Sequence, residues 1–518
     1  MSSICNTILD SQFTQQKWVA KITEVLNREL ENDTDAPVCI FRVPKSLRDH
    51  KPEAYTPQLI ALGPYYHLNS ELYEMQRYKI VLAKMFSEQY QLVEIQQLVD
   101  QLMTIVPKIR HSYRGRFNLE NQTLAMIFTV DGLFLLQLLD NYVKQKEIPR
   151  TSSLSSSLLV QSSSGKKLPG DAILRDVLML ENQIPRFVLL EILAKMSCLG
   201  STSPDKFLST LFLDFCKVIS PIKVEWCNPE SEVLEHEHLL DLLYQYITYE
   251  EDINEKEHRL TEYHSQKSRE GFDIEANLNT SANSNVFSKL WSKISEINIG
   301  FLRIFTKFID LFLNILAHLG ISATAFFNDK KVLIPSVSEL WIAQMRFAPA
   351  TGGTRYVEFN EKTNTLYLPI ITLNPTSEVL IKNLVAYETM EKSDALSFRR
   401  FSELMGAIID TVEDVELLRK SKVLESKMSS AEIAEIFNGM TKTMESKDRI
   451  IDTAIKKANA SYNNTRKVRQ KRFLKKYIYS SWRFLTVFAS VLLLLLMGLQ
   501  TFCNVYSCPT MFGRAVKA

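Results

Sequence analysis

No acidic residue occurs after Asp452, and no ionisable side chain interrupts residues 484–502. The first absence hides behind a formal net charge of +2: residues 1–455 hold 49 basic and 59 acidic groups, a net of −10, and the other twelve of the 61 Lys and Arg residues follow them. A body this acidic argues against nucleic acid as a partner, because affinity for a phosphate backbone rests on clustered positive charge. The seven cysteines form no CxxC pair and no dense disulfide framework, so buried free thiols in a cytosolic body are expected. Also lacking are GxxxxGK(S/T), GxGxxG after a strand, GxSxG and HExxH. The nearest metal-like cluster is Glu235–His238, EHEH. On a helix, residues two apart point about 200° from each other, so His236 and His238 would share a metal only on an extended backbone. No metal, no cofactor and no enzymatic activity are expected.

The second absence defines an anchor. Nineteen residues, FLTVFASVLLLLLMGLQTF, span roughly 28 Å at about 1.5 Å each, close to the hydrocarbon thickness of a bilayer. Phe484, Leu485, Val487, Phe488, Val491, Leu492, Leu493, Leu494, Leu495, Leu496, Met497, Leu499 and Phe502 each favour insertion, and no charge opposes them. Before the run stand Arg466, Lys467, Arg469, Lys471, Arg472, Lys475, Lys476 and Arg483, whereas only Arg514 and Lys517 follow it. By the positive-inside rule the N-terminal side is cytosolic and residues 503–518 form a short tail across the membrane. The N-terminus carries no basic stretch followed by an apolar one, so no signal peptide is read there. The basic run, with Tyr477, Tyr479 and Trp482, also suits the headgroups of an anionic leaflet.

Along residues 1–455 the pattern predicts a mainly α, multi-helix globular body with one small β-hairpin. An amphipathic helix over 13–31 with Trp18, Ile22, Val25 and Leu26 on one side precedes a stretch with Pro44, Pro52, Pro57 and Pro64, which discourages helix. Helices are expected from Leu72 to Leu102, over 121–146 and over 171–199. Mobile insertions are expected at about 151–170, where Ser predominates, and at about 250–285. Arg303, Lys307, Asp310, Asn314 and His318 fall on one stripe of a helix over 297–319, which reads as packing on the body or touching a membrane surface or partner. Alternation around Tyr356–Phe359 and Thr365–Leu368 predicts the hairpin, with a five-residue loop. Helix is expected again from Ser377 through FSELMGAIIDTVEDVELLRKSKV, then after a Ser429–Glu432 capping box, and finally from about Asp448 straight into the span, with 456–483 as a basic juxtamembrane helix.

Several blocks then appear in order. Val43 and Pro44 lead to Ala54, Tyr55 and Pro57, to Gly63, Pro64, Tyr65, Tyr66 and His67, and to Lys79. Asp131 and Gly132 precede Met179, Leu180, Glu181, Asn182, Gln183, Ile184 and Pro185. His238–Leu243, then Asn383, Leu384, Ala386, Tyr387 and Glu388, then Asp414 and Val415, and Glu435–Asn438 complete the series. The set resembles a plant family catalogued as domain of unknown function 247, colinearly over about residues 13–502. The resemblance implies a mainly helical, membrane-attached plant protein with no assigned enzymatic activity. Tyr66 and Tyr78 stand where that family often has His, Gln76 where it often has Glu and Arg186 where it often has an aromatic, which argues against a metal site at Gly63–His67.

Glu181, Asn182 and Gln183 read as side chains that satisfy backbone groups left free where a helix meets Pro185, beside an apolar face of Leu180, Ile184, Phe187 and Val188. Ligand or partner recognition is the other reading, and Tyr387 and Glu388 divide the same way. Two function classes remain open: a membrane-tethered interaction protein whose partners are a lipid bilayer and a protein, and an enzyme of unrecognised class, for example with Cys39 or Cys216 as nucleophile. The topology is open to a direct test. The sequons at Asn32, Asn121, Asn279, Asn459 and Asn463 stay unmodified if the body is cytosolic, so an N-glycan-removing enzyme leaves the mobility of the native protein unchanged; a mobility shift reverses the orientation.

Overall fold

Leu, Phe and Ile crowd every face of residues 124–139, and a helix that is apolar all round has to be surrounded. The computed structural model describes residues 15–20, 22–23, 37–91, 94–115, 117–147, 160–161, 167–168, 170–195, 203–224, 235–249, 334–391, 396–440, 446–465, and 493, 496–498, 500 and 501. The chain divides into two units, Met1–Tyr249 with Ile334–Ala518, and Glu250–Leu333; the described residues all lie in the first. Its first half comprises helices α1 (Gln76–Gln89), α2 (Ile95–Thr104), α3 (Val106–Ser112), α4 (Asn121–Glu147), α5 (Gly170–Val177), α6 (Arg186–Leu193), α7 (Pro204–Ile219) and α8 (Leu239–Thr248). α4 is the axis, with α1, α2, α6 and α7 packed on it. Among the described residues its Asn121–Lys144 portion is the one helix long and apolar enough to cross a membrane, yet 78% of its apolar window is buried within the protein. A core helix passes the same test as a span.

The continuous helix expected over 72–102 is divided. A 3-10 turn at Ser70–Met75 leads into α1, which stops at Tyr90; Gln91 has φ +48° and α2 starts at Ile95. Phe86 and Leu102 are both buried, but on one unbroken helix they would point about 160° apart at 100° per residue. A left-handed residue between two helices buries both. The helix expected over 171–199 is broken in the same way, into α5, a 3-10 turn at Leu180–Asn182 and α6. Pro185, at φ −60° and ψ 137°, is the N-cap of α6, so it starts a helix and does not interrupt one.

A three-stranded sheet over residues 346–369 has the order β3 (Arg346–Ala350), β5 (Thr365–Pro369), β4 (Glu358–Asn360), after a small antiparallel pair, β1 (Val160–Gln161) and β2 (Lys167–Leu168), inside the Ser-rich stretch. The expected hairpin is β4–β5, with Phe359 opposite Leu366; Asn360 pairs with Thr365, so the loop has four residues and not five, with Asn364 in it at φ +51°. β3 runs parallel to β5, and β6 (Ile371–Leu373) parallel to β7 (Leu424–Ser426); neither pairing was expected. Three residues are too few to show alternation, and Pro349 hides β3, which tolerates it as an edge strand.

The second half continues with α9 (Val337–Ile342), α10 (Ser377–Glu391), α11 (Ser397–Ile408), α12 (Val412–Lys420), α13 (Ser430–Asn438) and α14 (Arg449–Asn464). The single helix expected through FSELMGAIIDTVEDVELLRKSKV is two, because Thr411 and Asp414 form a capping box that starts α12. Burial pushes the Asp414 carboxyl up, but N–H groups of Ser338, Asp410 and Thr411 outweigh it and hold it below the ordinary range. The Ser429–Glu432 box is present at α13. α14 buries Ile451, Ala454, Ile455, Ala458 and Tyr462 on one face, so residues 456–464 pack on the body. Thr465, at φ −69° and ψ 128°, ends it; the helix begun at Asp448 does not run unbroken into residues 484–502. The basic run 466–483, the helix expected over 297–319, the insertion at about 250–285 and most of 13–31 lie outside the described residues.

At the end of α8 the chain 352–354 passes so closely that a Cβ on Gly353 would lie 2.4 Å from the Ile247 carbonyl oxygen, which also accepts the Thr354 N–H at 2.9 Å. Backbone has to shift to admit it. Gly353→Ala should therefore lower unfolding free energy by about 1–3 kcal/mol, read by denaturant melts against Gly170→Ala, where a Cβ meets nothing within 4 Å. Equal melts would show that the approach is not close in solution.

Candidate functional site

Residues 37–67 have little regular structure, so their backbone groups need partners from elsewhere. Those partners come chiefly from residues 176–183. Glu181, fully buried, accepts the Val43 N–H at 2.6 Å and an Arg48 Nη2 hydrogen bond with Oε1, and Arg42 Nη1 at 3.0 Å and Tyr66 OH at 2.6 Å with Oε2. Arg42 also lies 3.7 Å over the Tyr65 ring. A sealed carboxylate costs several kcal/mol unless charges and donors replace water, and here two guanidinium groups, an amide and a phenol do so.

Asn182 accepts the Leu62 N–H at 2.6 Å and donates to the carbonyls of Ile60 and Asp176, both at 2.9 Å. Gln183 donates to the carbonyls of Val177 (2.7 Å) and Met179 (2.9 Å) and accepts the Leu240 N–H at 3.1 Å, which ties α8 to the same turn. Its own carbonyl accepts the Tyr113 hydroxyl at 2.7 Å. Asp176 Oδ2 accepts three successive N–H groups, from Gln58, Leu59 and Ile60, at 2.6–3.0 Å. Burial raises its pKa, and those N–H groups and Arg175 oppose the rise.

Gly63, at φ +66°, donates its N–H to Asp131 Oδ2 at 2.9 Å, and a Cβ there would lie 2.7 Å from Tyr113 Oη. Asp131 Oδ1 meets Lys79, which is 1% exposed and also donates to the Ala61 carbonyl at 2.8 Å. Burial raises the Asp131 pKa against the pull of Lys79. Pro64 is buried; Tyr65 donates to the Arg114 carbonyl at 2.6 Å; His67 is half-buried beside this pair, and burial lowers its pKa.

α8 and α10 form the far side. His238 accepts the Asp241 N–H with Nδ1 and donates from Nε2 to the Cys39 carbonyl, both at 3.1 Å, so its tautomer is set and burial holds its pKa below the ordinary value. Tyr387 donates to Asp241 Oδ1 at 2.8 Å and packs edge-on against His238 and Tyr244. Glu388 accepts Tyr244 OH at 2.8 Å and the N–H groups of Phe398 (2.9 Å) and Arg399 (2.7 Å), fastening the start of α11; burial raises its pKa. Asn383 accepts the Leu180 N–H at 2.9 Å and donates to the carbonyls of Ala54 and Val379, both at 2.8 Å.

The structure thus gathers Gly63, Tyr65, Tyr66, Glu181, Asn182, Gln183, Tyr387 and Glu388 into one inward-facing polar network. The carbonyls that Asn182 and Gln183 satisfy belong to the end of α5 and the turn after it, not to a helix broken by Pro185. Sequence reading gave no role to Arg42, Arg48, Tyr113, Asp176, His238, Asp241 or Asn383; three of these lie in blocks already picked out, and both arginines flank Val43 and Pro44. Cys39 shares its carbonyl, not its thiol, with His238, and burial pushes that thiol up to about 12, where a thiolate is scarce. Among the described residues no group of three or more His, Cys, Asp or Glu side chains is placed to hold a metal ion.

A family model, DUF247, described as a plant protein of unknown function, matches residues 40–496. A UPF0481 protein of Arabidopsis thaliana is 33% identical over 539 residues, covering 96% of each chain, and another from that plant is 25% identical over 487 residues, covering 91% of this chain and 87% of its own. No solved structure matches.

Deleting the Asn182 amide strands the Leu62 N–H and the Ile60 carbonyl, each worth about 1–3 kcal/mol when unpaired, while the Asp176 carbonyl keeps the Met179 N–H. Asn182→Ala should lower the melting temperature steeply and Gln183→Ala by a comparable amount, measured on purified protein. Unchanged melting with loss of partner binding would make the block a recognition surface.

Proposed function

Because the chain belongs to the DUF247 family of plant proteins of unknown function, we propose that it is a membrane-tethered, non-catalytic recognition protein, with a cytosolic body that engages a protein partner and residues 484–502 as its single anchor. One contrast carries this reading. α4 is apolar and enclosed, whereas in the uncharged run Leu493, Leu496 and Met497 are helical and 60%, 55% and 61% exposed. Exposed Leu and Met on a charge-free helix suit lipid, where such side chains favour insertion. The basic residues 466–483 between α14 and that run suit the cytosolic leaflet.

The body supports the recognition part. Its motif side chains point inward and hold distant segments together, which leaves the outer surface for contact. Tyr73, Ile80, Val81 and Met85 are exposed apolar side chains on α1 and the turn before it that such contact could use. The mainly helical body with its small sheet then presents that surface beside the membrane.

Ending the chain after Thr465 keeps all of α14 and removes the basic run 466–483 and the uncharged run 484–502. The truncated protein should stay in the supernatant after a high-salt wash, with full-length melting behaviour, while the intact chain pellets with membranes. A soluble intact chain overturns the tether, and a truncated chain that pellets places a second membrane-binding surface in the body.

A further inference from the structure

An open cleft of about 780 Å³ lies where α14 packs against β4, within the range of small-molecule sites. It belongs to neither the polar network nor the anchor. Its floor is apolar, with Phe359 and Ala454 buried. Its walls carry four cations from three parts of the chain: Arg355 before β4, Lys447 and Arg449 at the start of α14, and Lys457 farther along that helix.

Two acids also line it. Asp448 is turned inward: Oδ1 accepts the N–H groups of Ile450 and Ile451 at 2.9 and 3.0 Å, and Oδ2 accepts Ser397 Oγ at 2.9 Å. Ser397 Oγ in turn accepts Arg355 Nε at 3.2 Å, which fixes that guanidinium at the cleft wall. Lys457 has a loose, exposed pairing with Glu361 at 3.8 Å. Among the described residues that leaves exposed Glu358 as the one lining acid outside the capping network. A single carboxylate is met by one arginine, whereas four cations spread around an apolar floor match an anion with charge on several oxygens.

We propose that the cleft between β4 and α14 binds a phosphate-bearing group of small-molecule size, with Lys447 and Arg449 as its principal contacts. Two sources share that chemistry, a soluble phosphate compound and a phospholipid headgroup. The second rests on the tethered reading, since residues 465–483 would then join the C-terminal end of α14, which walls the cleft, to the bilayer by a connection no longer than ~65 Å fully extended. The first does not.

The intact chain in a neutral detergent is titrated calorimetrically with inorganic pyrophosphate and with short-chain phosphatidylinositol bisphosphate. Saturable binding at one site is expected, and Lys447→Ala and Arg449→Ala should each weaken it by about tenfold, the loss typical of a charge-assisted contact. Both side chains are exposed, so melting of the variants should match the parent; Lys456→Ala, exposed but outside the cleft, should bind normally. Tighter binding of the lipid identifies a headgroup as the source, and equal or tighter binding of pyrophosphate identifies a soluble phosphate. Absence of saturable binding overturns the proposal, as does binding that Lys447→Ala and Arg449→Ala leave unchanged, which would assign the phosphate to another basic segment. If the intact chain proves soluble in cells yet binds pyrophosphate through Lys447 and Arg449, the tether fails and the cleft stands.

Discussion

Glu181 takes its carboxylate to a place that water does not reach, and segments of the body are arranged around supplying its donors. Val43, Arg42, Arg48 and Tyr66 come from a part of the chain that forms hardly any ladder hydrogen bonds of its own. The two residues that follow bind backbone where Glu181 binds charge: Asn182 reaches Ile60 and Leu62, and Gln183 reaches α8. An irregular segment can be a core element only if each buried N–H and C=O finds a partner. Short amides and carboxylates on a tight turn provide those partners at fixed spacing, which a helix or strand face would not.

This explains which parts were legible in the sequence. α14, with one apolar face, follows from periodicity, and α4 follows from an apolar run too long for a strand. The breaks at Gln91, at Leu180–Asn182 and at Ile409–Thr411 do not, because each depends on where the preceding and following faces have to point. The Glu181–Gln183 block stood out as polar residues amid leucines; Asn182 and Gln183 do donate to carbonyls, at the end of α5 and not at Pro185, whereas Glu181 accepts from N–H, guanidinium and phenol donors. The identity of the partners was not accessible: Ala54 and Asn383 are 329 residues apart, and Leu180 and Asn383 203 apart, distances over which local pattern carries no information. Short parallel pairings such as β6–β7 were hidden for the same reason.

Composition alone ranks α4 and residues 484–502 together as apolar helices. Their polar content separates them. α4 carries Asp131, Gln137 and Asp140 on buried positions, and Asp131 is met by Lys79 from α1. Such a residue is tolerable where a neighbouring helix brings an opposite charge, and expensive against hydrocarbon. Residues 484–502 carry no Asp, Glu, Lys, Arg or His, and their most polar side chain is Gln500.

The long reach of Asn383 bears on how the chain acquires its structure during synthesis. α4 and its neighbours can assemble from contiguous sequence, but the segment around Ala54 and the turn at Leu180 keep unmet backbone groups until residue 383 has been made. Contacts so distant in sequence close late and slowly, because the intervening chain has to give up its freedom first. Throughout that interval the apolar faces left waiting for α10 are open to solvent, a condition in which unfinished chains associate with one another. The network that makes the finished body rigid therefore also makes its nascent form dependent on being shielded until more than two thirds of the polypeptide exists.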